Sequence, residues 1–381
     1  MTPEPRHPPI LPSYGAAALS DLSSSILASL DPDVPGSENV LGLPSARRAC
    51  LLIVDGLGWE LLRDHPAVAP FLSELARNSR PITAGFPSTT VTSLGSICTG
   101  RPPGQHGILG YQVIIPGENR LLNGLRWDSR VDPRQWQPLP TIYERAVAAG
   151  MAAVHVAQGA FRGTGLTVAT MRGADFRPAD SMGALAAQAA AALRENARAL
   201  VTVYHGDLDG TGHVFGAGSD AWYNQLAHVD KLAEQLAGAL PSGTSMHVTA
   251  DHGMVDVTPE DKFDVDGHPE LRSGLALLGG EPRARHLYAR RGAAPDLLAA
   301  WREALGDRAW VLSGDEAIKE GWFGPVDPAM AGRIGDVVVA PAGSLALVAT
   351  KAEPRESALL GMHGSLTSSE QLVPALSYHA A

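Results

Sequence analysis

The chain has 381 residues, of which 45% are hydrophobic and 18% charged, a composition typical of a folded globular enzyme that excludes a disordered chain. Its formal net charge of −10 argues against nucleic-acid binding as the main role. The two cysteines, Cys50 and Cys98, are too few for a disulfide framework and stand in no zinc-finger spacing.

The first 30 residues bear on where the protein works. They contain prolines, serines and Asp21 instead of a basic start followed by a compact apolar run, so no secretory signal peptide is predicted. The sequence contains no run of about 18 apolar residues. We therefore expect a cytoplasmic protein without membrane contact, and its oligomeric state stays open.

In chain order, the first predicted unit is an N-terminal arm over residues 1–46, rich in Pro and Ser, with a short helix near 17–30. The apolar run at 49–54 follows and ends in Asp55 and Gly56, a pattern typical of a strand covered on both faces of a parallel sheet. Similar runs predict three further strands: 152–157, 199–204 and 245–251.

The segments between these strands have apolar residues at helical spacing. The predicted helices cover 67–77, 141–149, 181–197 and 219–240. This alternation predicts an α/β fold, a doubly wound and mostly parallel sheet with helices on both faces. Between about 256 and 355 the alternation weakens into loops and short strands, which we interpret as a smaller inserted subdomain of one catalytic domain over 47–381.

Acidic side chains follow three of the predicted strands at their carboxyl ends. Asp55 ends the first strand, Asp209 follows another, and Asp251 with His252 ends a third. Doubly wound sheets place their binding sites in the loops at this edge. The sequence therefore predicts that these carboxylates lie at one rim of the sheet.

These polar residues each have two interpretations. Burying Asp251 beside His252 costs free energy unless the two form a structural hydrogen bond or share a cation. Asp209 and His213 are four residues apart with glycines between them, which suits a tight loop around one cation but also an ordinary turn. His363, in "GMHGS", is either a surface histidine or a further ligand.

A cluster of hydroxyl side chains lies in "FPSTT", at the predicted start of a helix. The free N–H groups of a helix N-terminus suit an incoming phosphate. Ser88, Thr89 and Thr90 therefore have two alternative roles, as the cap of that helix or as a nucleophile. A hydroxyl nucleophile needs activation by a metal or a base.

Together these side chains have the composition of a two-metal site. Three carboxylates and three imidazoles are enough for two cations, and the share of nitrogen ligands favours zinc, with manganese or iron as alternatives. Two metals about 4 Å apart can clamp both the attacking group and the phosphoryl oxygens of a substrate. The predicted set contains Asp55, Thr90, Asp209, His213, Asp251, His252 and His363.

Six short motifs occur in a fixed order: "IVDGLG", "FPSTT", "TGRPPGQHG", "DGTGH", "ADHGM" and "GMHG". In this order they resemble the alkaline phosphatase superfamily, most closely its type I phosphodiesterase/nucleotide pyrophosphatase branch, from about residue 49 to 366. The resemblance implies that Thr90, nine residues before Thr99 of a Thr-Gly pair, is the nucleophile.

The same resemblance implies how the ligands divide between two metals. One metal would be held by Asp209, His213 and His363, and the other by Asp55, Asp251 and His252, with Thr90 bound to the second as the attacking alkoxide.

The sequence departs from the family pattern at several positions. Relatives place a phosphate-binding asparagine 21 residues after the nucleophile, where this chain has Tyr111, and Asn123 is an alternative for that role. Many relatives also follow the nucleophile with Phe-Pro-Asn, whereas Val91 begins a different run here. Thr89 therefore remains a competitor as the nucleophile.

The sequence thus predicts a two-metal hydrolase of small phosphate esters, above all phosphodiesters or nucleotide pyrophosphates, that works through a covalent threonine intermediate. Diesters are favoured because no third-metal set is visible. A phosphomonoesterase, a phosphonate hydrolase and a phosphosugar mutase are the enzymatic alternatives, and a protein that only binds metal or a phosphorylated ligand is the non-enzymatic one. A sulfatase is disfavoured because Cys98 lacks the C-x-P-x-R context.

Overall fold

The computed structural model describes residues 8–380. Its strands are β1 (Arg48–Val54), β2 (Ile82–Thr83), β3 (Gln112–Ile114), β4 (Leu121–Asn123), β5 (Ala152–Ala157), β6 (Asp175–Pro178), β7 (Ala199–His205), β8 (Thr244–Thr249), β9 (Val255–Asp256), β10 (Lys262–Asp264), β11 (Leu275–Glu281), β12 (Ala284–Ala289), β13 (Ala309–Ser313), β14 (Val337–Pro341), β15 (Ala346–Val348), β16 (Gly361–Met362), β17 (Leu372–Val373) and β18 (Ala375–His379).

The α-helices are α1 (Leu19–Leu30), α2 (Trp59–Asp64), α3 (Pro70–Ala76), α4 (Thr90–Thr99), α5 (Pro103–His106), α6 (Pro133–Trp136), α7 (Ile142–Ala148), α8 (Gly165–Met171), α9 (Met182–Glu195), α10 (Asp207–Phe215), α11 (Asp220–Ala239), α12 (Pro269–Arg272), α13 (Ala294–Leu305), α14 (Gly314–Lys319), α15 (Pro328–Ala331), α16 (Pro354–Ala358) and α17 (Ser368–Gln371).

The central sheet has six strands in the order β18-β8-β1-β7-β5-β6. Every neighbouring pair is parallel except β18 with β8, which is antiparallel. Strands β7 and β8 are buried at every position, as the continuous apolar runs predicted. The predicted α/β fold with a mostly parallel sheet is therefore confirmed, and an antiparallel strand closes one of its edges.

The predicted helices of this layer also form, with small differences at their ends. Helix α11 buries Trp222, Leu226 and Val229 at helical spacing, and α9 packs against β7 and β5. The segment that follows β7 differs from its prediction, because residues Asp207–Phe215 form helix α10 and not a tight loop. Asp209 and His213 consequently lie one turn apart on the same helix face.

The N-terminal segment contributes to the core. All twelve residues of α1 are buried, and α1 packs against α4. The Asp21 side chain accepts hydrogen bonds from the backbone N–H groups of Gly15, Ala16 and Ala18, which satisfies donors at the start of this helix. The division of the chain at residue 46 stays a prediction, and residues 1–7 of the predicted arm lie outside the described residues.

A second, antiparallel sheet has the strand order β11-β12-β14-β13 and lies within residues 256–355. Helix α13 buries Leu297, Trp301 and Leu305 in its core cluster. The limits of the predicted subdomain stay a prediction. Over residues 8–380, none of the helices combines the length and the apolarity that crossing a bilayer requires, and the predicted cytoplasmic location stays a prediction.

A buried ion pair connects the second sheet to the C-terminal segment that carries His363. The Arg283 guanidinium donates to Glu370 through Nε at 3.0 Å and through Nη2 at 2.5 Å, and both side chains are fully buried. Glu370 also accepts a hydrogen bond from the backbone N–H of Ser365 at 2.9 Å. The loop after His363 is therefore held by a two-point charged contact.

Replacement of Glu370 by alanine should lower the free energy of unfolding by about 3–5 kcal/mol, because it leaves the Arg283 charge buried and unpaired. Urea denaturation followed by circular dichroism measures this change. Glu234→Ala is the matched control, since Glu234 pairs with Lys231 on the surface and its loss should change stability little. Equal effects of the two substitutions would contradict the anchoring role of Glu370.

Candidate active site

Three neighbouring strands of the central sheet deliver their carboxyl ends to one rim. β1 lies between β8 and β7, so the segments that follow these three strands are adjacent. Asp55 directly follows β1, Asp209 lies in α10 after β7, and Asp251 with His252 follows β8. The predicted convergence of the strand-end carboxylates is present in the structure.

Two groups of three potential ligands form at this rim, and their ligand atoms lie within 4.8 Å of one another inside each group. We call them trio A (Asp55, Asp251, His252) and trio B (Asp209, His213, His363).

In trio A, the Nε2 atom of His252 lies 3.3 Å from Asp55 Oδ1 and 3.6 Å from Asp251 Oδ2. In trio B, His213 Nε2 lies 3.1 Å from Asp209 Oδ2, and His363 Nε2 lies 3.8 Å from Asp209 Oδ1.

The two trios are in direct contact through their imidazoles. The rings of His252 and His363 stack with centroids 3.6 Å apart and an interplanar angle of 17°. Each group is the one that the family resemblance implied, and the structure brings all six residues together.

All three histidines are oriented in the same way by the backbone. The Nδ1 atoms of His213, His252 and His363 lie 2.7, 2.9 and 3.1 Å from the carbonyl oxygens of Gly361, Gly253 and Ser88. A carbonyl oxygen only accepts hydrogen bonds, so each Nδ1 carries the proton. With a metal bound, each Nε2 would present its lone pair to the ion, which is the tautomer that a metal ligand needs.

The carboxylates fit a cation because each keeps one oxygen without a partner. Asp55 Oδ1, Asp209 Oδ1 and Asp251 Oδ2 are buried and make no hydrogen bond. The remaining oxygens are occupied: the Tyr204 hydroxyl donates to Asp55 Oδ2, and the backbone N–H groups of Gly56 and His252 donate to Asp251 Oδ1 at 3.1 and 3.0 Å. Three buried, partly unsatisfied carboxylates need a positive charge nearby.

The pKa values of Asp55 and Asp251 show the same electrostatic demand, whereas that of Asp209 is lowered, because the neighbouring histidines outweigh its burial. Burial raises the pKa of Asp55 well above its usual range, and the charges of Asp251 and Asp209 raise it further. Burial likewise raises the pKa of Asp251, although the neighbouring His252 opposes this effect. Without a cation, protonation is therefore the alternative way to relieve the repulsion within trio A.

Of the three hydroxyl groups in "FPSTT", Thr90 is the one that the structure places at the trios. Its Oγ1 lies 3.2 Å from Nε2 of His252, and Thr90 is the first residue of α4. Ser88 Oγ instead donates to the carbonyl of Ser365, and Thr89 is buried beside Glu281. This geometry favours Thr90 over Thr89 as the nucleophile, an assignment that stays a prediction.

The two predicted substrate-binding residues lie beside the nucleophile helix on the β3–β4 hairpin. Gly124 packs against Val91 so closely that a Cβ atom there would lie 2.8 Å from Val91 Cγ1. The Tyr111 hydroxyl donates to Glu356 Oε1 at 3.2 Å, and Asn123 Oδ1 accepts from backbone N–H groups of its own turn. The Asn123 side chain also hydrogen-bonds the Tyr111 side chain, and contact of either residue with phosphate stays a prediction.

Sequence reasoning missed Glu281, the last residue of β11. It is 9% exposed, its Oε2 lies 3.9 Å from His363 Nδ1, and its Oε1 makes no hydrogen bond. Burial raises its pKa to about 8. No local pattern marks it, because only the packing of the second sheet against the rim brings this acid to the site.

The sequence model of the family described as type I phosphodiesterase/nucleotide pyrophosphatase matches residues 49–366. A search of curated protein sequences returned no match.

One similar solved structure is murine ectonucleotide pyrophosphatase/phosphodiesterase 5, an inactive threonine-to-alanine variant in complex with AMP. It is 17% identical in sequence to this chain, with a TM-score of 0.70 and 88% of each chain covered. The human protein of the same name is 18% identical with a TM-score of 0.69, over 87% of this chain and 88% of that one. At this identity the likeness shows a shared fold.

In the metal-free protein, the contribution of Glu281 to stability should fall as the pH rises from about 6.5 to 8. Burial raises the pKa of Glu281 to about 8, and Asp209 raises that of His213 to about 9 although burial opposes it. Both pKa values lie above those of the unfolded chain, so each of these two groups binds more proton in the folded state over this interval, and its contribution to the free energy of unfolding falls as pH rises.

Thermal melting against pH after chelation measures this effect. Glu281→Gln is the matched variant, because it removes this titrating group and leaves the other shifted groups in place, so the stability of the wild type relative to the variant should fall from about pH 6.5 to 8. A difference in melting temperature between the two proteins that is constant over the interval, or that grows in favour of the wild type, would contradict the assignment.

Proposed function

The chain belongs to the type I phosphodiesterase/nucleotide pyrophosphatase family of the alkaline phosphatase superfamily and is a hydrolase of phosphate esters, and on that premise we propose its reaction. It cleaves small phosphodiesters or nucleotide pyrophosphates with two divalent cations and a covalent intermediate on Thr90. One observation carries the proposal: two trios of ligands meet at stacked imidazoles, with the Thr90 hydroxyl 3.2 Å from one of them.

The residues that would hold the cations are those of trio A and trio B, one ion to each. Equal numbers of imidazole and carboxylate ligands make zinc the proposed ion, with manganese as the alternative. When bound, such ions supply Lewis-acid stabilisation of the charge that develops on phosphoryl and leaving oxygens. The backbone carbonyls that fix the three histidines hold the ligands in place for either metal.

The protein's own part in the reaction centres on Thr90. Its Oγ1 attacks phosphorus, the bond from phosphorus to the leaving oxygen breaks, and the proton lost by Thr90 balances the alkoxide that departs as an alcohol. Water then cleaves the new Thr90–phosphorus ester and releases a phosphate monoester. The position of Thr90 at the start of α4 places the phosphoryl group near free backbone N–H groups and the positive end of the helix dipole.

The charge beside the site supports a diester over a monoester. The Glu356 carboxylate lies beside Tyr111, whose pKa is raised by burial and also by that charge. Arg285 does not offset this charge, because it pairs with Glu353 and donates to the carbonyl of Leu347. A second negative charge on a monoester would be unfavourable beside Glu356.

The comparison structures support a nucleotide-like organic group as one candidate class. The murine neighbour is described as a complex with AMP, a small nucleotide. By analogy, the proposed partner of this chain is a small-molecule phosphate ester and not a polymer.

Hydrolysis of bis-p-nitrophenyl phosphate should exceed that of p-nitrophenyl phosphate, should cease after chelation, and should return when zinc or manganese is added. Release of p-nitrophenolate measures both reactions. A preference for the monoester would move the function to a phosphatase with the same site. Turnover that survives complete removal of metal would contradict the two-metal proposal.

Thr90→Ala should lower kcat for the diester by about a thousandfold or more, as loss of a nucleophile does in other covalent enzymes, while metal content stays near that of the wild type. Thr89→Ala is the matched control, since Thr89 is the neighbouring hydroxyl and faces Glu281. Its replacement should lower kcat far less than that of Thr90. The reverse order of effects would assign the attack to Thr89.

A further inference from the structure

A cavity of about 800 Å³ lies at the end of α4 that is opposite Thr90. The helix has ten residues, so its ends are about 15 Å apart. The cavity lining contains no residue of trio A or trio B. It is formed by the loop at 31–36, by Thr99 and Arg101 after the helix, and by residues 139–149 around α7.

Two guanidinium groups meet at this cavity over a single carbonyl oxygen. Arg101 Nη2 and Arg145 Nη1 donate to the carbonyl of Gly36 at 3.2 and 2.8 Å, and Arg145 Nη2 also donates to the carbonyl of Thr99 at 2.6 Å. Gly36 has φ +71°, and a Cβ atom there would lie 2.7 Å from Arg101 Nη2. Glycine at this position therefore allows the two arginines to approach.

These positive charges are not neutralised by the protein over residues 8–380. Neither Arg101 nor Arg145 forms an ion pair there, and Asp31, an acid of the same lining, is paired with Arg198 at 2.6 Å. Asp33, the other acid of the lining, pairs with neither arginine. Burial and the nearby charge of Arg101 lower the pKa of Arg145 to about 10, and its buried Nε has no hydrogen-bond partner.

Capping of α4 explains only part of this arrangement. Arg145 does satisfy the carbonyl of Thr99, the last residue of the helix. A helix C-terminus carries roughly half a negative charge, whereas two guanidinium groups carry two full positive charges. Neither guanidinium forms an ion pair with a described residue, although Asp33 lies in the same lining, and Arg101 makes no bond to the helix at all.

The rest of the lining is apolar. Val34 and Pro35 contribute one part, and Leu139, Pro140 and Ala148 contribute another. A volume of this size is that of a site for a small organic molecule. Paired guanidinium groups match the oxygens of a phosphate or phosphonate dianion, because their planar N–H donors can bind two oxygens at once.

We propose that this cavity is a second ligand site, which binds a small phosphate or phosphonate monoester through Arg101 and Arg145 and accommodates its apolar group against Val34, Leu139 and Pro140. The proposal does not depend on the proposed reaction. A ligand in this cavity would contact Arg145, which donates a hydrogen bond to the carbonyl of Thr99, the last residue of α4.

Isothermal titration of the metal-loaded full-length protein with phenylphosphonate tests the site. The double variant Arg101→Gln/Arg145→Gln should bind one equivalent fewer than the wild type. Arg77→Gln is the matched control, because Arg77 pairs with Glu74 on the surface outside the cavity lining, and it should retain the wild-type stoichiometry. Benzyl alcohol, which keeps the apolar group but lacks the charge, should not bind to the cavity.

The single variant Arg101→Gln keeps the test valid if the double variant fails to fold, since Arg101 contributes only one hydrogen bond to the protein itself. Loss of a charged hydrogen-bond donor should weaken binding at the cavity by about tenfold or more. The proposal is overturned if the wild type binds no phenylphosphonate, or if neither variant changes its stoichiometry or affinity. If the active site does not bind phenylphosphonate, the stoichiometry of the wild type and of each variant is lower by the same amount, and the difference between them is unchanged.

Discussion

Repulsion among three buried carboxylates is the constraint on which the rest of this structure depends. Asp55, Asp209 and Asp251 each keep an oxygen without a hydrogen-bond partner, close to the Nε2 atoms of three imidazoles that are oriented by backbone carbonyls. A folded chain retains such an arrangement only if something positive offsets the loss of hydration. The two divalent cations that we propose would satisfy the orphaned oxygens and the three Nε2 atoms together.

The fold supplies the means to hold these groups against their repulsion. Strands β8, β1 and β7 are parallel neighbours, so their carboxyl ends bring three sequence-distant acids to one rim. Two further elements complete the site from outside the sheet: helix α4 presents Thr90, and the C-terminal segment presents His363. The buried Arg283–Glu370 contact secures that segment, and thereby couples the second sheet to the geometry of trio B.

Much of this arrangement was predictable because it follows from strong local patterns. Apolar runs covered on both faces marked β1, β5, β7 and β8, and acids at their ends marked the rim. The spacing of Asp209 and His213 was read as a tight loop, whereas both lie on helix α10, where residues four apart share a face. The glycines in that motif concealed the helix because their helix propensity is low.

Other features had no local signal. Strands β9 and β16 are two residues long and exist only through their pairing with each other. Glu281 reaches His363, and Tyr204 reaches Asp55, only because tertiary packing brings them together. The paired arginines at the far end of α4 come from segments 44 residues apart, as the positions of Arg101 and Arg145 show.

Anomalous X-ray diffraction from crystals of the protein grown with zinc or manganese tests the central claim most directly. The account predicts two peaks, one bounded by Asp55, Asp251 and His252 and the other by Asp209, His213 and His363, with Nε2 of each histidine facing its ion. Crystals that show no ordered ion at these residues, with the carboxylates protonated or bonded to one another instead, would contradict it.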